Sequence, residues 1–150
     1  SPGRSWDKLV GQIDVLSTVA EMIGAEVPDD GAEDSQSFYS VLIDPKSDAK
    51  RLPLINHGIS GRFSITEGKW KLIMPHKNLK HELYNLEKDP GEETNVYGKN
   101  VKLATRLEQR ISEIVCRGRT TDGVPQLNDT GYWDDLAWLN EGQYNRLAPK

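Results

Sequence analysis

Only one cysteine, Cys116, occurs in the 150 residues, so no disulfide can close within the chain. Histidine is scarce as well. His57, His76 and His81 stand at no His-x-x-x-His or similar ligand spacing, which argues against a local zinc centre. There is no Gly-rich phosphate loop. No apolar run approaches the roughly 18 residues that a membrane-spanning helix needs. Neither sign of charge dominates: a net charge of −4 is too small to imply a nucleic-acid partner or a membrane surface. The carboxylates are dispersed, and no pair suggests general acid/base work by spacing. The chain opens on Ser1-Pro2-Gly3, a composition typical of the middle of a loop, and shows no signal-peptide pattern. We therefore expect a piece of a longer protein.

The remaining residues are well patterned. Residues 7 to 24 place Leu9, Val10, Ile13, Leu16, Val19, Ala20 and Ile23 at near-helical spacing. A second parsing has Asp14 capping a helix that starts at Val15, after a short extended piece from Lys8 to Ile13. Gly24 suits the helix end in both. Ser37 to Leu42 offers at most a helical turn. Four strands are expected next: Leu52 to His57, Arg62 to Thr66, Lys69 to Met74 and Glu82 to Leu86. The second and third join at Glu67-Gly68, a tight hairpin connection. Asp89-Pro90-Gly91 is a turn, since Pro presets φ and Gly accepts positive φ. Asn100 to Cys116 repeats apolar residues at three- and four-residue steps, the pattern of an amphipathic helix able to cover the sheet, and Gly118 ends it. The expected fold is α+β, a small antiparallel sheet of about four strands on a long C-terminal helix, with an irregular tail. Within that tail, Trp133 to Leu147 reads as a short helix anchored by Trp133, Leu136, Trp138 and Leu139. The chain divides into a connecting segment (1–50), the sheet with its helix (51–118) and the tail (119–150).

Few residues offer chemistry. His57 ends an apolar strand just before Gly58, a place that serves either a site or ordinary packing. His76 and His81 sit in a polar run and read as solvated loop. Lys69, Lys71, Lys77 and Lys80 with these two histidines form a stretch free of acids, which suits either an anionic ligand or a solvated strand face. Cys116 lies at the apolar side of a helix end and reads as a small core residue. Trp70, Tyr84, Trp133 and Trp138 read as core or tail anchors. No catalytic residue and no metal ligand emerges.

Three blocks then carry a resemblance. "LVGQIDVLSTVAEMIGAE" is similar to an Asp-Leu-x-Pro-Thr-Leu-x-x-x-x-Gly segment, "GRFSITEGKWKLI" to a hairpin reading Arg-x-Gly-x-Trp-Lys-Leu, and "ELYNLEKDPGEETN" to Glu-Leu-Tyr-Asp-Leu-x-x-Asp-Pro-x-Glu-x-x-Asn. In this order they resemble the C-terminal portion of formylglycine-dependent sulfatases, the arylsulfatase-like branch of the alkaline phosphatase superfamily. The blocks span residues 8 to about 118, and "RGRTTDGVPQLND" is similar to the tail of some bacterial members. Ser17, Asn85 and Thr66 depart from the usual Pro, Asp and Arg.

The resemblance implies sulfate ester hydrolysis, of aryl or carbohydrate sulfates, by a full-length parent. The formylglycine nucleophile, made from Cys in a Cys-x-Pro/Ala-x-Arg motif, and a calcium ion would both belong to the missing N-terminal domain. Cys116, followed by Arg117-Gly118-Arg119, does not fit that motif. This chain would hold no cofactor and would be inactive alone. Its partners would be the N-terminal catalytic domain and a sulfated small molecule or glycan. Secretion or a periplasmic location would follow from the family. His57 and the Lys77 to Lys80 loop are the expected substrate contacts. The alternative is a free-standing glycan-binding or interaction module with the same fold.

Overall fold

A computed structural model describes residues 3, 5–44, 46–126 and 133–139. Four strands follow one another in space as in sequence: β1 (Leu54–His57), β2 (Phe63–Glu67), β3 (Trp70–Ile73) and β4 (Glu82–Asn85), every neighbour antiparallel. The expected sheet is therefore present, with ends shifted by one or two residues. The pleat explains its one-sidedness. Ile55 pairs with Ile65, Ile65 with Leu72 and Leu72 with Leu83, so one apolar row crosses all four strands on a single face. Helix α3 (Val101–Arg117) covers that row with Ala104, Leu107, Ile111 and Ile114, and Met74 completes the core. Side chains three and four apart lie on one side of a helix, which is why these four face the sheet together. At its end Gly118 adopts φ +71°, where its N–H reaches the carbonyls of Ile114 and Val115; residues with a Cβ rarely take that conformation.

The stretch 82–95 shows what its pattern builds. Leu83 and Tyr84 are buried in β4. The Asp89 carboxylate accepts the N–H groups of Glu93 (3.0 Å) and Thr94 (2.9 Å), closing the turn. Asn95 then reaches back. Its Oδ1 accepts from Leu83 N (3.1 Å) and Tyr97 N (2.9 Å), and its Nδ2 donates to the His81 carbonyl (3.2 Å). A 3-10 turn at Tyr97–Lys99, absent from the sequence expectation, leads into α3.

Before the sheet, the single helix over 7–24 is not observed. Gly11 is extended, Gln12–Asp14 forms a 3-10 turn, and α1 begins at Val15 and ends at Ile23. The second parsing has the right start but the wrong role for Asp14. Its side chain does not cap α1. It is 1% exposed and accepts from Gly11 N, Gln36 N and, through both oxygens, Arg51 (2.6 and 2.7 Å). A bidentate guanidinium outcompetes a local cap. Burial alone would raise the Asp14 pKa, but Arg51 and these backbone donors outweigh it and hold the carboxyl below its ordinary value. A short helix, α2, occupies Tyr39–Ile43.

After α3 the chain returns to the connecting segment. Arg119, 4% exposed, donates to the carbonyls of Asp29 (2.8 Å) and Val124 (3.0 Å). Thr120 donates to Asp34 through N–H (2.8 Å) and hydroxyl (2.6 Å), and Thr121 donates twice to the Glu33 carbonyl. Among the described residues the expected tail helix is only a 3-10 turn at Asp134–Leu136; residues 140–147 of that expectation lie outside them. Leu136 and Leu139 are nonetheless buried, against Phe63, Val115 and Cys116.

Candidate functional site

An antiparallel meander sends alternate connections to the same end. The end of β1, the start of β2, the end of β3 and the start of β4 therefore gather together, and the loops 58–62 and 74–81 lie there. The tail turn adds Trp133 and Asp135. His57 Nε2 lies 2.9 Å from Asp135 Oδ2, and its ring packs against Phe63 (4.5 Å between centroids) and Trp133 (4.7 Å). The His57 side chain remains one-third exposed, at 34%. The other carboxylate oxygen faces a second histidine, since His76 Nε2 is 3.5 Å from Asp135 Oδ1. At that distance the two groups are close but not hydrogen-bonded. Neither ring nitrogen of His76 has a hydrogen-bond partner among the described residues, although the residue is only 5% exposed. The approach depends on Gly61. Its φ is +77°, and a Cβ there would lie 2.7 Å from Asp135 Oδ1 and 3.1 Å from His76 Nε2. His76 is therefore no solvated loop residue. His81 is not free either: it stacks on Tyr97 (5.0 Å, 16°) with Nε2 3.4 Å from Glu108.

Lys77 and Lys80 stand on the loop that follows His76, exposed and in no ion pair among the described residues. Lys77 takes a positive φ of 52°, and the turn closes between His76 and Leu79. Arg62 anchors this loop from below. Its guanidinium donates to the carbonyls of Met74 and Lys80 and pairs with Glu82. Glu82 in turn accepts from the Tyr84 hydroxyl (2.8 Å). Burial pushes Glu82 up, yet Arg62 and Tyr84 more than offset it, and its pKa falls below the ordinary value. Tyr84 is pushed up to about 12, first by burial and then by the Glu82 carboxylate. The other two lysines are engaged elsewhere, Lys69 of the hairpin turn with Glu87 and Lys71 of β3 with Glu92.

The fold brings His57 and the Lys77 to Lys80 loop, the expected substrate contacts, to one end of the sheet. The sequence reading did not single out Asp135 and took His76 for a solvated loop residue. Only the small Ile-Ser-Gly loop opposite a histidine-bearing loop hinted at a close approach. The described residues do not fit a metal or a formylglycine. No group of three His, Cys, Asp or Glu side chains could hold an ion, and Cys116 sits on α3 against Leu136 and Leu139. No described helix is long and apolar enough to cross a membrane.

The fold recurs in known proteins. Residues 1–117 match the family model described as N-sulphoglucosamine sulphohydrolase, C-terminal. An N-acetylgalactosamine-6-O-sulfatase of Bacteroides thetaiotaomicron is 26% identical over 123 residues, 73% of this chain and 24% of the relative. A B. thetaiotaomicron protein solved in work on metabolism of multiple glycosaminoglycans superposes with a TM-score of 0.59 at 24% identity, over 69% of this chain and 24% of that one. A structure in complex with its substrate D-glucosamine-2-N,6-O-disulfate gives 0.52 at 22% identity, over 67% and 22%. The chain spans about a quarter of the length of these relatives. Its departures are accommodated locally: Ser17 donates to Ser35 through both its N–H and its hydroxyl, Asn85 accepts the Glu87 N–H, and Thr66 is buried between β1 and β3. The family match across residues 1–117, together with the sheet and covering helix, places this chain in the sulphohydrolase C-terminal family.

Proposed function

We propose that this chain is the C-terminal part of a sulfatase that hydrolyses sulfate esters, carbohydrate sulfates in particular. The observation that carries the reading is the family match over residues 1–117, and it favours the sulfatase over a free-standing glycan-binding module. The sulfated amino sugars named for two relatives support the substrate class. In such a reaction water replaces the sugar oxygen on sulfur, and the released alkoxide must gain a proton. Calcium and the formylglycine nucleophile belong to the parent's N-terminal domain, so the isolated chain is inactive.

The chain's own contributions are a scaffold and one wall of the substrate cleft. Residues 1–50 connect, 51–118 form the sheet with its helix, and 119–150 are a tail. At the loop end of the sheet, Lys77 and Lys80 attract the anionic substrate, while His57 hydrogen-bonds it. The connecting segment docks on the catalytic domain. Val15, Leu16, Val19, Met22 and Ile23 form an exposed apolar strip on α1, the kind of surface that a partner covers.

The test is steady-state kinetics of the full-length protein on N-acetylgalactosamine 6-sulfate and D-glucosamine-2-N,6-O-disulfate. Lys77→Ala/Lys80→Ala should raise KM about fivefold at low salt and less at high salt, as expected for exposed charges. His57→Ala should lower kcat/KM. Turnover of neither sugar would overturn the sulfatase reading, and unchanged kinetics in both variants would overturn the cleft wall.

A further inference from the structure

We propose that Asp135, carried by the tail turn, is a positioning residue that fixes His57 as a hydrogen-bond acceptor toward a hydroxyl group of the substrate. The inference rests on the cleft-wall reading and adds to it a residue from a different part of the chain. Four observations support it. The Asp135 carboxylate takes His57 Nε2 at 2.9 Å, within hydrogen-bond reach. A carboxylate only accepts, so Nε2 carries the proton, and in the neutral ring Nδ1 then holds the lone pair. Among the described residues nothing hydrogen-bonds Nδ1, while the side chain stays 34% exposed. The ring is also clamped, with Phe63 and Trp133 at 4.5 and 4.7 Å. Finally, Asp135 is itself fixed from the far side. The open face of Gly61 admits it, and His76 lies 3.5 Å from its second oxygen. A carboxylate held between two imidazoles has little freedom to leave the first.

A residue that acts through another leaves a distinct signature, because its loss matters only while the other is present. In the full-length protein with 15N-labelled histidine, NMR should show His57 as the Nε2–H tautomer. Asp135→Asn should shift it toward a tautomer mixture. In kinetics on the two sulfated sugars, Asp135→Asn should lower kcat/KM about tenfold, the order lost when a carboxylate that orients a metal-bound imidazole is removed. The double variant His57→Ala/Asp135→Asn should be no slower than His57→Ala alone. Asp135→Glu, which keeps the charge on a longer arm, should recover part of the loss and serves as the second variant if the Asn protein fails to fold.

An unchanged His57 tautomer in Asp135→Asn overturns the proposal, as does a double variant whose losses multiply. Full activity of Asp135→Asn beside an impaired His57→Ala also overturns it, while leaving the cleft wall standing. Full activity of His57→Ala sinks the cleft-wall role of His57 and with it the proposal, whatever the NMR shows, while Lys77→Ala/Lys80→Ala still tests the rest of the wall.

Discussion

Tyr84 and Glu82 show how single residues contribute to the pH dependence of this fold. The folded Glu82 pKa is lowered, so its contribution is present above the ordinary carboxylate pKa of about 4.3 and is lost as pH falls through the folded value. Asp14 adds loss in the same direction. Tyr84 works at the other limit. Its pKa is raised to about 12, so its contribution is intact below the unfolded value of about 10 and is lost as pH rises through the folded one. Urea unfolding across pH should therefore show an acid limb that Glu82→Gln weakens and an alkaline limb that Tyr84→Phe removes. Residue types revealed little of this. Glu82 and Tyr84 read simply as strand positions, and the Arg62 guanidinium that joins them to the 74–81 loop comes from a different strand end. His76 was misread for the same reason. Its sequence neighbours are polar, but its burial is imposed by Gly61 and by Asp135, 59 positions further on.

At the scale of elements, the strands and α3 were legible because a period of two and a period of 3.6 are hard to confuse over a whole element. Ile111 is fully buried in the core shared by α3 and the sheet, so Ile111→Ala should destabilise by about 2–5 kcal/mol in equilibrium unfolding. Glu113, on the outer face of the same helix, makes only an exposed i,i+3 pair with Arg110, and Glu113→Ala should stay within about 0.5 kcal/mol. The first helix was less legible. Apolar spacing continues through Leu9, Val10 and Ile13, yet the backbone is broken there by Gly11 and by the pull of Arg51 on Asp14, a contact across 37 residues that no local window contains. The tail was least legible, since its anchors Leu136 and Leu139 pack on Phe63 and Val115, far away in the sequence, as well as on each other.

For the whole molecule, the polarity of α1 is inverted. Thr18 and Ala20 are its buried residues, while Leu16 is 59% and Ile23 73% exposed. Leu16→Glu/Ile23→Glu should lower the thermal midpoint of the full-length protein by several degrees. The same pair should leave the unfolding of the isolated chain nearly unchanged, because the strip packs on nothing in the described sheet unit. Equal effects in both would mean that the strip is not a docking face.

The hydrogen bonds from Arg119, Thr120 and Thr121 to residues 29–34 also set a schedule. Partners separated by 86 to 90 positions cannot meet until the later ones exist. At a synthesis rate of roughly 5–20 residues per second, the connecting segment waits about 5–20 s on the ribosome for its clasp. Throughout that interval the segment 29–34 is without these partners. A nascent chain halted before residue 119 should therefore be cut by protease within 29–34, and one that has passed it should resist.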